Sequence, residues 1–194
     1  MKRRIEAMWL ALSVLLCACD DDPFPRPKGY FRLDQPPQGY RPYAGSCPLQ
    51  AEVPVYALMT RRAQDSTSRS DTACWVEMRF PMQHAEVYMT YRRIDGDLAE
   101  LVQDAHAFKS KHEVKAARIR SERVVRDSAR VFGNLFEVEG DVASPLVFYL
   151  TDSTTHFLYG SLYFDARPNA DSLAPATERL RNDLRHFART LSWR

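Results

Sequence analysis

Residues 117–165 read ARIRSERVVR-DSAR-VFGNLFEVE-GDVAS-PLVFYLT-DSTT-HFLYGSLYFD, broken here where the chain changes character. Four runs, Ala117 to Arg126, Val131 to Glu139, Pro145 to Thr151 and His156 to Asp165, are rich in β-branched and aromatic residues, and each predicts a strand. The separators Asp127-Ser128, Gly140-Asp141 and Asp152-Ser153 carry turn chemistry. Strands that succeed one another without intervening helices imply an antiparallel sheet.

Helical spacing lies on both sides of this block. Upstream, Asp97 stands at a cap position with Glu100 three residues on, and Leu98, Leu101, Val102, Ala105 and Phe108 recur at helical spacing. A helix is predicted from Leu98 to about Lys111. Downstream, Leu173, Ala176, Leu180, Leu184, Phe187, Ala188 and Leu191 form one stripe and predict a helix over Asp171 to Trp193. Further upstream, Cys74 to Phe80 and Ala85 to Ile94 alternate as a hairpin interrupted at Pro81, and Leu49 to Thr60 reads as one strand-like run around Pro54. Arg61 to Thr72 is polar and predicts an exposed loop. The order strands, helix, strands, helix predicts an α+β domain, an antiparallel β-sheet flanked by helices, over residues 43–194.

The first 42 residues differ in kind. Lys2, Arg3 and Arg4, an apolar run from Ala7 to Leu16 and the small Ala18 before Cys19 have the order of a secretory signal peptide over residues 1–18. The apolar run is about half the roughly 20 residues that span a bilayer as a helix. Leu16 and Ala18, three and one before Cys19, resemble the bacterial lipobox, in which that cysteine becomes the lipidated first residue. Cys17 does not fit, because Leu16 is too large for its cleavage position. Two acyl chains on Cys19, palmitate-type anchors, would make attachment lasting. Pro23, Pro25, Pro27, Pro36, Pro37 and Pro42 favour extended polyproline II, so residues 19–42 read as a tether. Within it Gly29 to Asp34 alternates as an edge strand or a surface clamp. Tyr30, Phe31, Tyr40 and Tyr43 stand among Arg26, Lys28, Arg32 and Arg41. Such residues anchor protein interfaces, and equally they pack back on their own domain; both readings stay open.

Charge and cysteine content narrow the function classes. The formal charge of +2 is the surplus of Lys2, Arg3 and Arg4 over Glu6 in the leader, so the remainder is neutral and nucleic acid is not a predicted partner. Lys109, Lys111, Lys115, Arg118, Arg120, Arg123 and Arg126 are interrupted by Glu113, Glu122 and Asp127 and read as a solvated face. Cys47 and Cys74 remain after the leader and the lipid site are set aside, and in an oxidising envelope they predict one disulfide. No metal site is predicted, because two isolated cysteines lack the spacing that zinc requires.

No Gly-x-Ser-x-Gly elbow, phosphate-binding glycine loop or His-Glu-x-x-His occurs. His84, His106, His112, His156 and His186 are read as structural or surface residues; His106 and His112, six apart, fall on different helix faces. Asp20-Asp21-Asp22 lacks the spaced geometry of a calcium loop and reads as a sorting signal. Phe132, Phe136, Phe148, Phe157 and Phe187 read as core. The sequence thus predicts no catalytic residue and no cofactor.

Two resemblances follow. Glu52-Val53-Pro54-Val55-Tyr56, the mid-chain helix and the closing helix together resemble the Mog1/PsbP-like layered sandwich, a likeness of fold. Pro25-Arg26-Pro27-Lys28-Gly29-Tyr30-Phe31-Arg32-Leu33 after the lipobox, Cys47-Pro48, Glu52 to Ala57, Cys74-Trp75 leading to Phe80-Pro81, and Lys111-His112 with Lys115-Ala116 and Ile119 resemble the gliding-motility lipoprotein GldD family of Bacteroidota. Leu49 and Gln50 stand where aromatics would be expected. The resemblance implies a lipid-anchored envelope protein, in the periplasm or at the cell surface, without catalytic activity. Its partners would belong to the gliding and type IX secretion apparatus. The competing expectation is an envelope enzyme or small-ligand binder on a sandwich fold.

Overall fold

The structure is a computed structural model that describes residues 35–61, 73–113 and 116–194. In chain order the described elements are β1 (Tyr40–Ala44), β2 (Leu49–Pro54), β3 (Leu58–Arg61), β4 (Ala73–Phe80), β5 (Ala85–Arg93) and α1 (Leu98–Glu113). There follow β6 (Arg118–Arg126), β7 (Val131–Glu139), β8 (Leu146–Thr151), β9 (His156–Phe164), α2 (Ala170–Thr190) and β10 (Ser192–Trp193). Seven strands form one antiparallel sheet in the order β3-β4-β5-β9-β8-β7-β6, and β1, β2 and β10 form a smaller sheet with β2 at its centre. The predicted α+β class holds.

The meander of residues 118–164 runs inward from the β6 edge and ends on β9, which pairs with β5 over nine residues. The chain leaving β5 must therefore pass over three strands to reach β6. Four strand spacings of about 4.8 Å make roughly 19 Å. A helix of 16 residues, rising about 1.5 Å per residue, covers that distance. That is the path of α1, which lies across β7, β8 and β9. Its Leu101 and Ala105 bury against Phe136, Tyr149 and Phe157.

The opposite face carries the larger core. Val76, Met78 and Phe80 of β4, Val87 and Met89 of β5, Leu158 and Leu162 of β9, and Leu146, Phe148 and Leu150 of β8 all point the same way, as strand alternation requires. Leu180, Leu184, Phe187 and Ala188 of α2 close this face together with Leu49, Ala51 and Val53 of β2. Two glycines make room between neighbouring strands of the large sheet. A Cβ on Gly160 would stand 2.2 Å from the Phe148 ring, and one on Gly133 would stand 1.9 Å from the Tyr149 carbonyl oxygen. Of the five phenylalanines read as core, Phe136, Phe148, Phe157 and Phe187 are buried and Phe132 is half-buried.

Three local expectations are corrected. The run Leu49 to Thr60 is two strands in two sheets, because a turn at Pro54–Ala57, closed by Ala57 N–H to the Pro54 carbonyl at 3.0 Å, redirects the chain. β1 starts at Tyr40, inside the stretch whose prolines predict a tether. The last helix stops at Thr190, and Ser192–Trp193 pair with β2 instead of continuing it.

Candidate functional site at the chain entry

α2 carries two polar stripes beside its apolar one. On one flank Arg179, Asp183, His186 and Thr190 recur every three or four residues, which stacks them on one face. This stripe meets the segment through which the chain enters the domain. Arg179 donates to the carbonyl of Pro36 at 3.2 Å, and Val55 N–H donates to the carbonyl of Gly39 at 3.0 Å. The Tyr40 hydroxyl donates to Asp183 at 2.8 Å, and the Tyr56 hydroxyl donates to the other oxygen of the same carboxylate. Arg179 Nε lies 3.4 Å from Asp183, and its guanidinium sits over the Tyr56 ring at 5.5 Å. His186 stacks on Tyr40 with centroids 3.6 Å apart and reaches Glu52 at 2.6 Å. Thr190 accepts the Glu52 N–H at 2.9 Å.

Both Asp183 oxygens are therefore occupied, and the residue is only 2 % exposed. Burial, and then the bond to Asp183, pushes the Tyr40 hydroxyl up to about 12. The same two causes raise Tyr56. Both phenols serve as donors to Asp183, so the cluster holds the entering chain. On the other flank of α2, Arg185 bridges Glu122 of β6 at 2.8 Å and the buried Glu137 of β7.

A second device follows directly after β1. Cys47 and Cys74 are joined by a disulfide with Cα atoms 5.9 Å apart. Cys47 lies in the β1–β2 connection and Cys74 in β4, so the bond links the small sheet to the seven-stranded one.

The remaining sequence candidates are placed as follows. Cys19, Arg26, Lys28, Tyr30, Phe31 and Arg32 lie outside the described residues. Tyr40 and Tyr43, by contrast, pack on their own domain, and Arg41 donates to the Ala57 carbonyl at 3.0 Å. His84 caps a one-turn 3-10 helix in the β4–β5 hairpin with φ 48. His106 leans its ring edge-on to Phe136 and Tyr149. His156 bonds the Tyr91 hydroxyl at 2.9 Å and stacks on Trp193. The side chain of His112 lies outside the described residues. Among the described residues no group of three or more His, Cys, Asp or Glu converges as a metal site would. A cleft of about 260 Å³ beside the start of α2 is lined by Val142, Pro145, Phe164, Leu173, Thr177 and Arg181 among others.

Sequence reasoning passed over Arg179 and Asp183, and took Tyr56 only as part of a strand-like run and of the motifs that carry the resemblances. The four-residue spacing of Arg179 and Asp183 was the available signal, since opposite charges at that spacing share a helix face. Nothing local announced that Tyr40 and Tyr56 would arrive there.

The model of one protein family, described as gliding motility lipoprotein GldD, matches residues 20–193. The chain belongs to that family. The match begins at the residue after Cys19 and runs through the whole described body. No match was found among curated proteins or among solved structures. Membership in the GldD family makes this a gliding-motility lipoprotein, which implies attachment to the cell envelope by lipid. Among the described residues no helix is long and apolar enough to cross a membrane.

Proposed function

We propose that the protein is a non-enzymatic, lipid-anchored component of the gliding and type IX secretion apparatus, held to the membrane through Cys19. The family match over residues 20–193 is the observation that carries this reading. The entry site supports it. Its polar groups are spent on fastening the chain that arrives from the anchor, which suits a part that transmits tension.

The route of such tension is short. A pull from Cys19 enters at Gln35 to Tyr40, where Arg179, Val55 and Asp183 hold successive points of the backbone or side chain. It then meets the β1–β2 ladder, five residue pairs long, from Tyr40↔Pro54 to Ala44↔Gln50. If that ladder parts, Cys47 passes the load to Cys74 in β4, a strand paired on both sides within the seven-stranded sheet.

Deleting the gene should abolish gliding and spreading without slowing growth, and a copy carrying Cys19→Ala should fail to restore them while leaving the membrane fraction. Normal spreading in the deletion strain, or unchanged membrane partition of the variant, would overturn the proposal.

A further inference from the structure

Among the described residues the two sheets have four strand edges, and three are poor templates for another strand. β3 has four residues, β10 has two, and β1 has five with Pro42, which has no N–H to donate, in its middle. The fourth, β6, is different. It has nine residues, none of them proline or glycine, and it pairs with β7 residue by residue from Arg118↔Glu139 to Arg126↔Val131 without a bulge. Among the described residues no strand pairs with its other side. Alternate N–H and C=O groups along that side point away from the sheet.

The side chains along this edge are strongly of one sign, four Arg against the single Glu122. Glu122 is taken by Arg185 and Arg120 by Glu139 at 3.0 Å, while Arg126 donates to the Leu191 carbonyl. Arg118 and Arg123 are exposed and have no partner among the described residues. Val125, two residues from Arg123 on the same face of the strand, is 50 % exposed, an apolar contact point on a charged strand.

We infer that β6 is a docking edge for an extended acidic segment of a partner protein, which adds to the seven-stranded sheet as an eighth strand. Backbone pairing supplies the affinity and the arginines select for acid. A second copy of this chain is disfavoured in the symmetric register that overlaps the whole strand. An antiparallel pair centred on Glu122 would set Glu122 against Glu122 and Arg118 against Arg126, and like charges directly opposite are unfavourable. The inference rests on the proposed role of the protein as a component that works through partners, and it adds where one of them binds.

The test uses the full chain in detergent and three blocked nonapeptides: one carrying Glu on both strand faces among Val and Thr, because Arg118 and Arg123 lie on opposite faces of β6, the same peptide with Lys for Glu, and the acidic peptide N-methylated on alternate residues. The acidic peptide should bind and protect β6 amides from hydrogen exchange. Affinity should fall at least tenfold with the Lys peptide, with the N-methylated peptide, and in the double variant Arg118→Glu/Arg123→Glu, whose thermal melt should match the parent. Absence of binding, binding that survives N-methylation, or a concentration-dependent dimer blocked by the double variant would each overturn the inference. Gliding of a strain carrying the double variant reads a separate property. Lost peptide binding with intact gliding would remove this edge from the mechanism and leave the membrane-anchored role standing.

Discussion

Asp152 shows how much one side chain settles locally. One carboxylate oxygen accepts the N–H groups of Thr154, Thr155 and His156 at 3.0, 2.7 and 2.7 Å, and the other accepts the Thr154 hydroxyl at 2.9 Å. Burial alone would raise this carboxyl, but the three N–H bonds and the hydroxyl outweigh it and hold the group at about 2. An unfolded aspartate titrates near about 3.9, so the unfolded chain takes up the proton first as pH falls. The stabilisation, about 2 kcal/mol, is fully present above that value and is lost as pH drops toward 2. Asp152→Asn should therefore lower stability at neutral pH by about 1–2 kcal/mol and flatten the acid limb between pH 4 and 2 (about the window set by the two pKa values), as read by urea titrations across that range. Equal acid limbs in both proteins would contradict the assignment. Asp152-Ser153 was legible as a turn from its composition. The convergence of three N–H groups on one oxygen was not, because it depends on the path of the backbone after the turn, with Ser153 at φ 68.

At the level of elements, alternation and helical period located the strands from β4 through β9, α1 and the start of α2 within a residue or two, while the end of α2 was placed three residues too far. The failures share a cause. β1, the division of β2 from β3, and β10 belong to or border the small sheet, whose strands are short and are held by contacts with segments far away in sequence. Ser192 pairs with Gln50, and Tyr40 bonds Asp183. A five-residue strand containing Pro42 has no signature that separates it from a proline-rich tether. Asp183→Ala tests what holds it. The substitution leaves Arg179, 14 % exposed, without its carboxylate and two hydroxyls without their acceptor, and should cost about 3 kcal/mol. Limited proteolysis with mass spectrometry should then show cleavage between Gln35 and Tyr43 before the rest of the domain is cut. An unchanged digestion pattern would mean that β1 is held by its ladder alone.

For the whole molecule the disulfide is the long-range tie, since it joins the two sheets across a sequence separation of 27. Closing a loop of that size is worth about 3.5 kcal/mol in the chain-entropy estimate. Replacing both residues, Cys47→Ala with Cys74→Ala, should lower Tm by about 10 °C in a domain of this length, measured calorimetrically. A shift of under about 3 °C, the worth of roughly 1 kcal/mol, would show that packing between the sheets carries the tie.

The sequence by itself determined the strands and helices of residues 73–190, the α+β class, the pairing of the only two cysteines left for the body, and the resemblance that the family match then established. These are carried by periodicity, turn residues and motifs, which are properties of neighbours along the chain. Tertiary structure alone decided that Tyr40 and Tyr43 fold back onto their own domain, that α2 fastens the entering chain through Arg179 and Asp183, and that β6 ends up at an edge. Each depends on which distant segments meet. That follows from α1 carrying the chain over three strands before the meander of residues 118–164 begins, a choice of path that no local pattern records.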